Sequence, residues 1–103
     1  MGNLGFPFRP YHPGELLKEE LECRHISQKS LAKQLDIPYT AFNEVLNCKR
    51  PVSPDLALLL EAALGINAGL LVRLQTDYNL QIATQDKTLA ERLVKIKQIA
   101  AIL

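Results

Sequence analysis

The amino-acid sequence predicts a single all-α domain of five or six short helices. Three observations carry that prediction. A chain of 103 residues that is 48% hydrophobic and 22% charged has the length and composition of one globular domain. Its apolar residues recur at three- and four-residue intervals, the spacing of one helix face. The Val, Ile and Thr density needed for strands is missing. The chain is too short for two independent cores, and its composition excludes disorder for most of its length.

Residues 1–12 are rich in Gly, Pro and aromatics and read as an extended arm, because each proline pushes its predecessor out of the α region. A first helix then opens on Pro13, with Glu15 in its first turn and Leu16, Leu17 and Leu21 on one face through Arg24. Ser27 is a good N-cap for a second helix, whose apolar face is Leu31, Ala32 and Leu35. A tight connection at Asp36, Ile37 and Pro38 leads into a third helix, burying Phe42, Val45 and Leu46 and ending near Asn47 and Cys48. The fourth has the clearest start, with Ser53 as cap, Pro54 next and Asp55 after it. Its stripe is Leu56, Leu59, Leu60 and Ala63, and Gly65 terminates it. Asn67 caps a fifth helix carrying Leu71, Leu74, Tyr78 and Ile82, and residues 84–86 form a break before a last helical segment.

The net charge is only +1, so bulk charge does not announce a polyanionic partner. Its distribution is uneven. Residues 24–50 hold five basic residues against Asp36 and Glu44, net +3, while residues 12–23 are net −3. Two cysteines, Cys23 and Cys48, lack metal-ligand or framework spacing and read as idle thiols in a reducing compartment. His12 and His25 have no third ligand at compatible spacing, so no metal and no cofactor are expected. No apolar run is long enough to span a membrane and the N-terminus lacks a signal pattern, which predicts a cytoplasmic protein. Neither a Ser-His-Asp arrangement nor a phosphate-cradling Gly loop appears, and an enzyme is not expected.

The second and third helices are the informative pair. Residues 27–47 read SQKSLAKQLDIPYTAFNEVLN, two short helices separated by a three- to four-residue turn. That is helix-turn-helix spacing, in which the second helix enters the major groove and the first crosses the backbone. Periodicity alone leaves DNA binding and a plain helical bundle even. The outward residues tilt the balance. Gln28, Tyr39, Thr40, Asn43 and Asn47 oppose the buried face, Lys29 lies outside with them, and Lys49 and Arg50 follow directly. Amides and hydroxyls read bases or phosphates, and cations suit phosphates. Glu44 reads as a salt-bridge partner for a nearby lysine.

The order HPGELLKEEL, then SQKSLAKQLDIPYTAFNEVLNCKR, then SPDLALLLEAALG resembles the Xre/Cro helix-turn-helix family, with its lambda-repressor-like bundle. More narrowly it resembles the HigA-type antitoxins, also called the virulence-associated protein I (VapI) group, over about residues 12–83. The marks are His12-Pro13-Gly14-Glu15, then residues 43–47 with Lys49-Arg50, then Leu74-Gln75 followed by Asp77-Tyr78-Asn79-Leu80. The resemblance implies a protein that binds operator DNA and represses its own toxin–antitoxin operon. It also implies that the protein binds and neutralises a RelE-like, mRNA-cleaving HigB toxin. Gln28 then matches a phosphate-contacting position, Tyr39 and Thr40 the start of the recognition helix, and Asn43 and Asn47 the positions one and two turns on. The chain departs from the pattern at Asp36 and Cys48, where glycine is usual, at Pro38, where a capping serine is usual, and at Leu71, where tryptophan is common.

Leu89, Leu93, Ile96, Ala100 and Leu103 follow a short heptad seam near the C-terminus. This predicts a homodimer contact or a toxin-docking helix; the plainer alternative is a helix packed on its own domain. The expected organisation is an arm over 1–12, a DNA-binding domain over 13–83 and a C-terminal helix over 84–103. Residues 6–11 are an alternative partner-binding segment. Two other functions fit the same sequence: a stand-alone repressor with no toxin partner, and an interaction module that has lost DNA binding.

Overall fold

Local capping chemistry sets where each element begins in the computed structural model, which describes residues 9–102. The elements are α1 (Pro13–Cys23), α2 (Gln28–Leu35), α3 (Tyr39–Leu46), α4 (Pro54–Leu64), α5 (Ala68–Thr84) and α6 (Lys87–Ile102), with no strand among the described residues. Residues 1–8 and Leu103 lie outside the description, so the arm can be compared only over 9–12, which are not helical. The predicted caps hold. Ser27 Oγ accepts from the Ser30 N–H (3.0 Å), Ser53 Oγ from Leu56 (3.1 Å) and Asn67 Oδ1 from Leu70 (2.8 Å). Pro38 precedes α3 with no side-chain cap, as its lack of a polar group requires. The sequence reading assigned no cap role to His12 or Asp86. Their side chains accept from Gly14 and Leu89, at 2.8 and 2.9 Å.

The first three helices end in one motif. His25, Asp36 and Cys48 adopt φ of 57°, 57° and 64°. In each, a left-handed residue lets two backbone N–H groups turn back onto the last carbonyls, as in Lys49 to Glu44 (2.8 Å) and Cys48 to Val45 (3.0 Å). Asp36 and Cys48 therefore hold the turn geometry that glycine usually provides. Gly65 closes α4 with φ 75°.

Leu17, Leu31, Phe42, Leu46, Leu60 and Leu71 are fully buried, with Val52 and Ala57 between them, so α1 to α5 share one core. Each such large side chain contributes about 1.5–3 kcal/mol by leaving water. Gly14 has a steric role: a Cβ there would overlap the carbonyl oxygen of Val45, because the first turn of α1 sits against the end of α3. Two expected core positions are exposed, Leu59 (39%) at the outer edge of the α4 stripe and Ile82 (43%), while Leu16, Ala63, Leu74 and Tyr78 are half-buried. Beside Ile82 it is Gln81 that takes the buried position.

The last helix does not fold back. None of its residues is buried, and its packing contact is with the end of α5. The radius of gyration, 17.2 Å, exceeds the roughly 13 Å of a compact chain this long, and the extents are 57 × 23 × 23 Å. The C-terminal helix therefore projects from the core.

Candidate nucleic-acid interface

Packing of α2 on α3 decides what faces outward. With Leu31, Ala32 and Leu35 meeting Phe42, Val45 and Leu46 inside, Tyr39, Thr40 and Asn47 are left exposed and Gln28 and Asn43 half-buried. The amides form a row. Asn47 Nδ2 donates to Asn43 Oδ1 (3.1 Å) and to the Asn43 carbonyl (3.0 Å), and Asn43 Nδ2 donates to Gln28 Oε1 (3.0 Å). Donation runs one way along the row, from Asn47 at the end of α3 through Asn43 to Gln28 of α2, which leaves the Gln28 amino group free to donate and the Asn47 oxygen free to accept. Lys29 Nζ lies 5.6 Å from the Tyr39 ring centroid, a cation–π distance that orders both. Gln28, Lys29, Tyr39, Asn43 and Asn47 all line one cleft of about 500 Å³ between α1, α2 and α3. Lys18 of α1 also lines it, a residue that the sequence analysis did not single out.

Thr40 is exposed on α3 outside that cleft, and Lys49 and Arg50 stand apart from it. Arg50 is engaged: its Nε and terminal nitrogen bond Glu44 Oε1 at 2.9 and 2.6 Å. Glu44 thus pairs with Arg50 rather than a lysine. Lys49 and Arg50 instead line a small recess with His12, Gln75, Tyr78 and Asn79. Here the three motif blocks meet. The His12 and Tyr78 rings pack edge to face (centroids 4.8 Å, 78°), Gln75 Oε1 accepts from the Val52 N–H (2.8 Å), and Gln75 Nε2 donates to Asn79 (3.0 Å). The supporting roles of Gln75 and Asn79 were missed; the Leu-Gln-x-Asp-Tyr-Asn spacing was their signal.

Around this frame, Arg9 donates to both oxygens of Glu15 at 2.9 Å, which holds the Glu15 carboxyl below its usual range. Burial lowers the His12 imidazole against the opposing pull of Glu15 and of the Arg50 backbone. Burial also raises the Cys48 thiol, so it stays protonated at neutral pH. Among the described residues no His, Cys, Asp or Glu group could hold a metal, and no helix is long and apolar enough to cross a membrane. Of the C-terminal seam, Leu89 is half-buried, Leu93, Ile96 and Ala100 are exposed, and Leu103 lies outside the described residues.

No family model matches the chain. Virulence-associated protein I of Dichelobacter nodosus is 39% identical over 77 residues, covering 74% of this chain and 71% of that protein. The solved HigA-family addiction module antidote protein from Coxiella burnetii is 35% identical, covers 85% of this chain and 95% of its own, and has a TM-score of 0.74. The chain belongs to the HigA family of antitoxins. Pseudomonas aeruginosa HigA, solved with the higBA promoter, is 30% identical over 92% of this chain and 96% of its own, with a TM-score of 0.70. Membership makes the chain a DNA-binding antitoxin fold rather than an enzyme.

Proposed function

We propose that the chain is a cytoplasmic, homodimeric antitoxin that represses its own toxin–antitoxin operon and neutralises a RelE-like, mRNA-cleaving toxin by binding it. Residues 13–83 bind operator DNA, and residues 84–103 make the dimer or toxin contact through Leu89, Leu93, Ile96, Ala100 and Leu103. The row from Gln28 through Asn43 to Asn47 carries the reading. An ordered set of amides with spare donors at one end and a spare acceptor at the other suits base edges and phosphates, where a merely solvated face would hold Glu and Lys. Asn43 and Asn47 read bases in the major groove. Gln28, Lys29 and Tyr39 hold the flanking phosphate strand, Thr40 supports them at the helix start, and Lys49 and Arg50 add phosphate contacts. The P. aeruginosa relative, solved with its promoter, supports operator binding. The uncovered face of α6 supports a second chain there.

Footprinting the region upstream of the gene tests the first half. Protection of a palindrome with half-sites about one helical turn apart is expected; even, sequence-blind protection contradicts it. For the second half, the product of the neighbouring gene is expressed with and without this chain. Growth arrest that co-expression relieves, with the two proteins co-purifying, is expected. A neighbour whose expression is harmless, or whose toxicity persists, leaves a stand-alone repressor.

A further inference from the structure

His12 is 2% exposed and joins three segments that are distant in sequence. Its Nδ1 accepts from the Gly14 N–H at 2.8 Å and caps α1. Its ring packs on Tyr78 of α5 and lines one recess with Cys48, Lys49 and Arg50, at and beyond the end of α3. Because Nδ1 is an acceptor, the neutral His12 ring carries its proton on Nε2. We propose that His12 is a positioning residue for residues 48–52, and that its protonation weakens DNA binding by releasing that segment. The inference rests on the DNA-binding reading above and adds acid sensitivity to it.

A protonated imidazole has no lone pair at Nδ1, so the buried Gly14 N–H loses its acceptor. The ring would also carry charge in a site shut from water. The groups facing it do little to hold that charge. Glu15, on its own helix, is the acid that acts on it, and both Glu15 oxygens are taken by Arg9. The segment after α3 offers Cys48, Lys49 and Arg50, and α5 offers the Tyr78 phenol. None of these is an anion at neutral pH. Expulsion of the charged ring empties its side of the recess and uncovers one side of the segment that Gln75 holds through Val52.

The test compares DNA affinity between about pH 8 and pH 5.5 for the wild type, His12→Asn and His25→Asn. Asparagine is a good N-cap without a titrating proton, and His25 is exposed and outside the recess. With one proton linked, wild-type affinity is expected to fall by up to about tenfold per pH unit below His12's titration point. His25→Asn is expected to follow it and His12→Asn to stay flat. A His12→Asn protein that keeps the wild-type loss, or a wild type without one, overturns the proposal. A second readout needs no DNA. In wild-type NMR spectra the His12 ring and the Lys49 and Val52 amides should titrate with one midpoint; separate midpoints overturn the proposal. Absence of sequence-preferring binding at about pH 8 would sink the DNA-binding reading instead, leaving the shared midpoint to decide whether His12 holds this segment.

Discussion

Asn43 stands between two amide partners, giving a proton to Gln28 and accepting one from Asn47. A side chain held at both ends has little rotamer freedom left to lose on meeting a base. Asn43→Ala is therefore expected to cost about 1–3 kcal/mol on the operator and to lower the preference over scrambled DNA. Equal weakening on both DNAs would show that Asn43 reads no base. Titration makes a second prediction at this scale. In the folded protein burial lowers His12 from 6.5, and Arg9 lowers Glu15 from 4.5. Both folded-state values lie below the unfolded ones, so the unfolded chain takes up protons first as pH falls. Stability should be complete above 6.5 and decline in acid, first through His12 and then through Glu15. Burial raises Cys48, so its effect has the opposite sense: stability is lost as pH climbs past 9.0. Urea unfolding across a pH series checks this, and rising stability between about pH 7 and pH 5 would contradict it.

At the scale of elements, the helices follow signals that are local in the chain. Ser27, Ser53, Asn67 and Gly65 mark ends that short-range hydrogen bonds decide, and each stands where the sequence predicts. The ends at His25, Asp36 and Cys48 are less legible, because a left-handed residue other than glycine leaves no compositional mark. His25 tests that geometry cleanly since it is exposed. His25→Gly is expected to stabilise by up to about 1 kcal/mol and His25→Val to destabilise by about 1–2 kcal/mol. Thermal melts resolve such changes as shifts of several degrees; a valine variant melting with the wild type would contradict the left-handed end. The cap at His12 was invisible for a different reason. Histidine is an uncommon cap, and its packing against Tyr78 and the recess at Arg50 joins residues too far apart in sequence for any periodicity to betray. The amide face was legible as a set of outward residues, whereas its internal bonds and the presence of Lys18 were not.

Over the whole molecule, a closed core of five helices carries a sixth in which no residue is fully buried. Its apolar side chains, including Ile96 (57% exposed) and Ile99 (59%), form more uncovered surface than an isolated domain usually keeps. Ile96→Glu is expected to leave the melting of the core almost unchanged while turning a dimer into a monomer by light scattering. Unchanged mass would move the dimer contact elsewhere. Dimerisation matters because two recognition helices about one turn of DNA apart read a palindrome that one alone binds weakly. The most direct test of operator recognition is fluorescence anisotropy on DNA from upstream of the gene, against scrambled DNA, across a salt series. A preference of about a thousandfold or more is expected, with a log–log slope set by the phosphates neutralised. Equal, weak binding to both DNAs would contradict it, leaving the helix-turn-helix as scaffold and the projecting helix as the working surface.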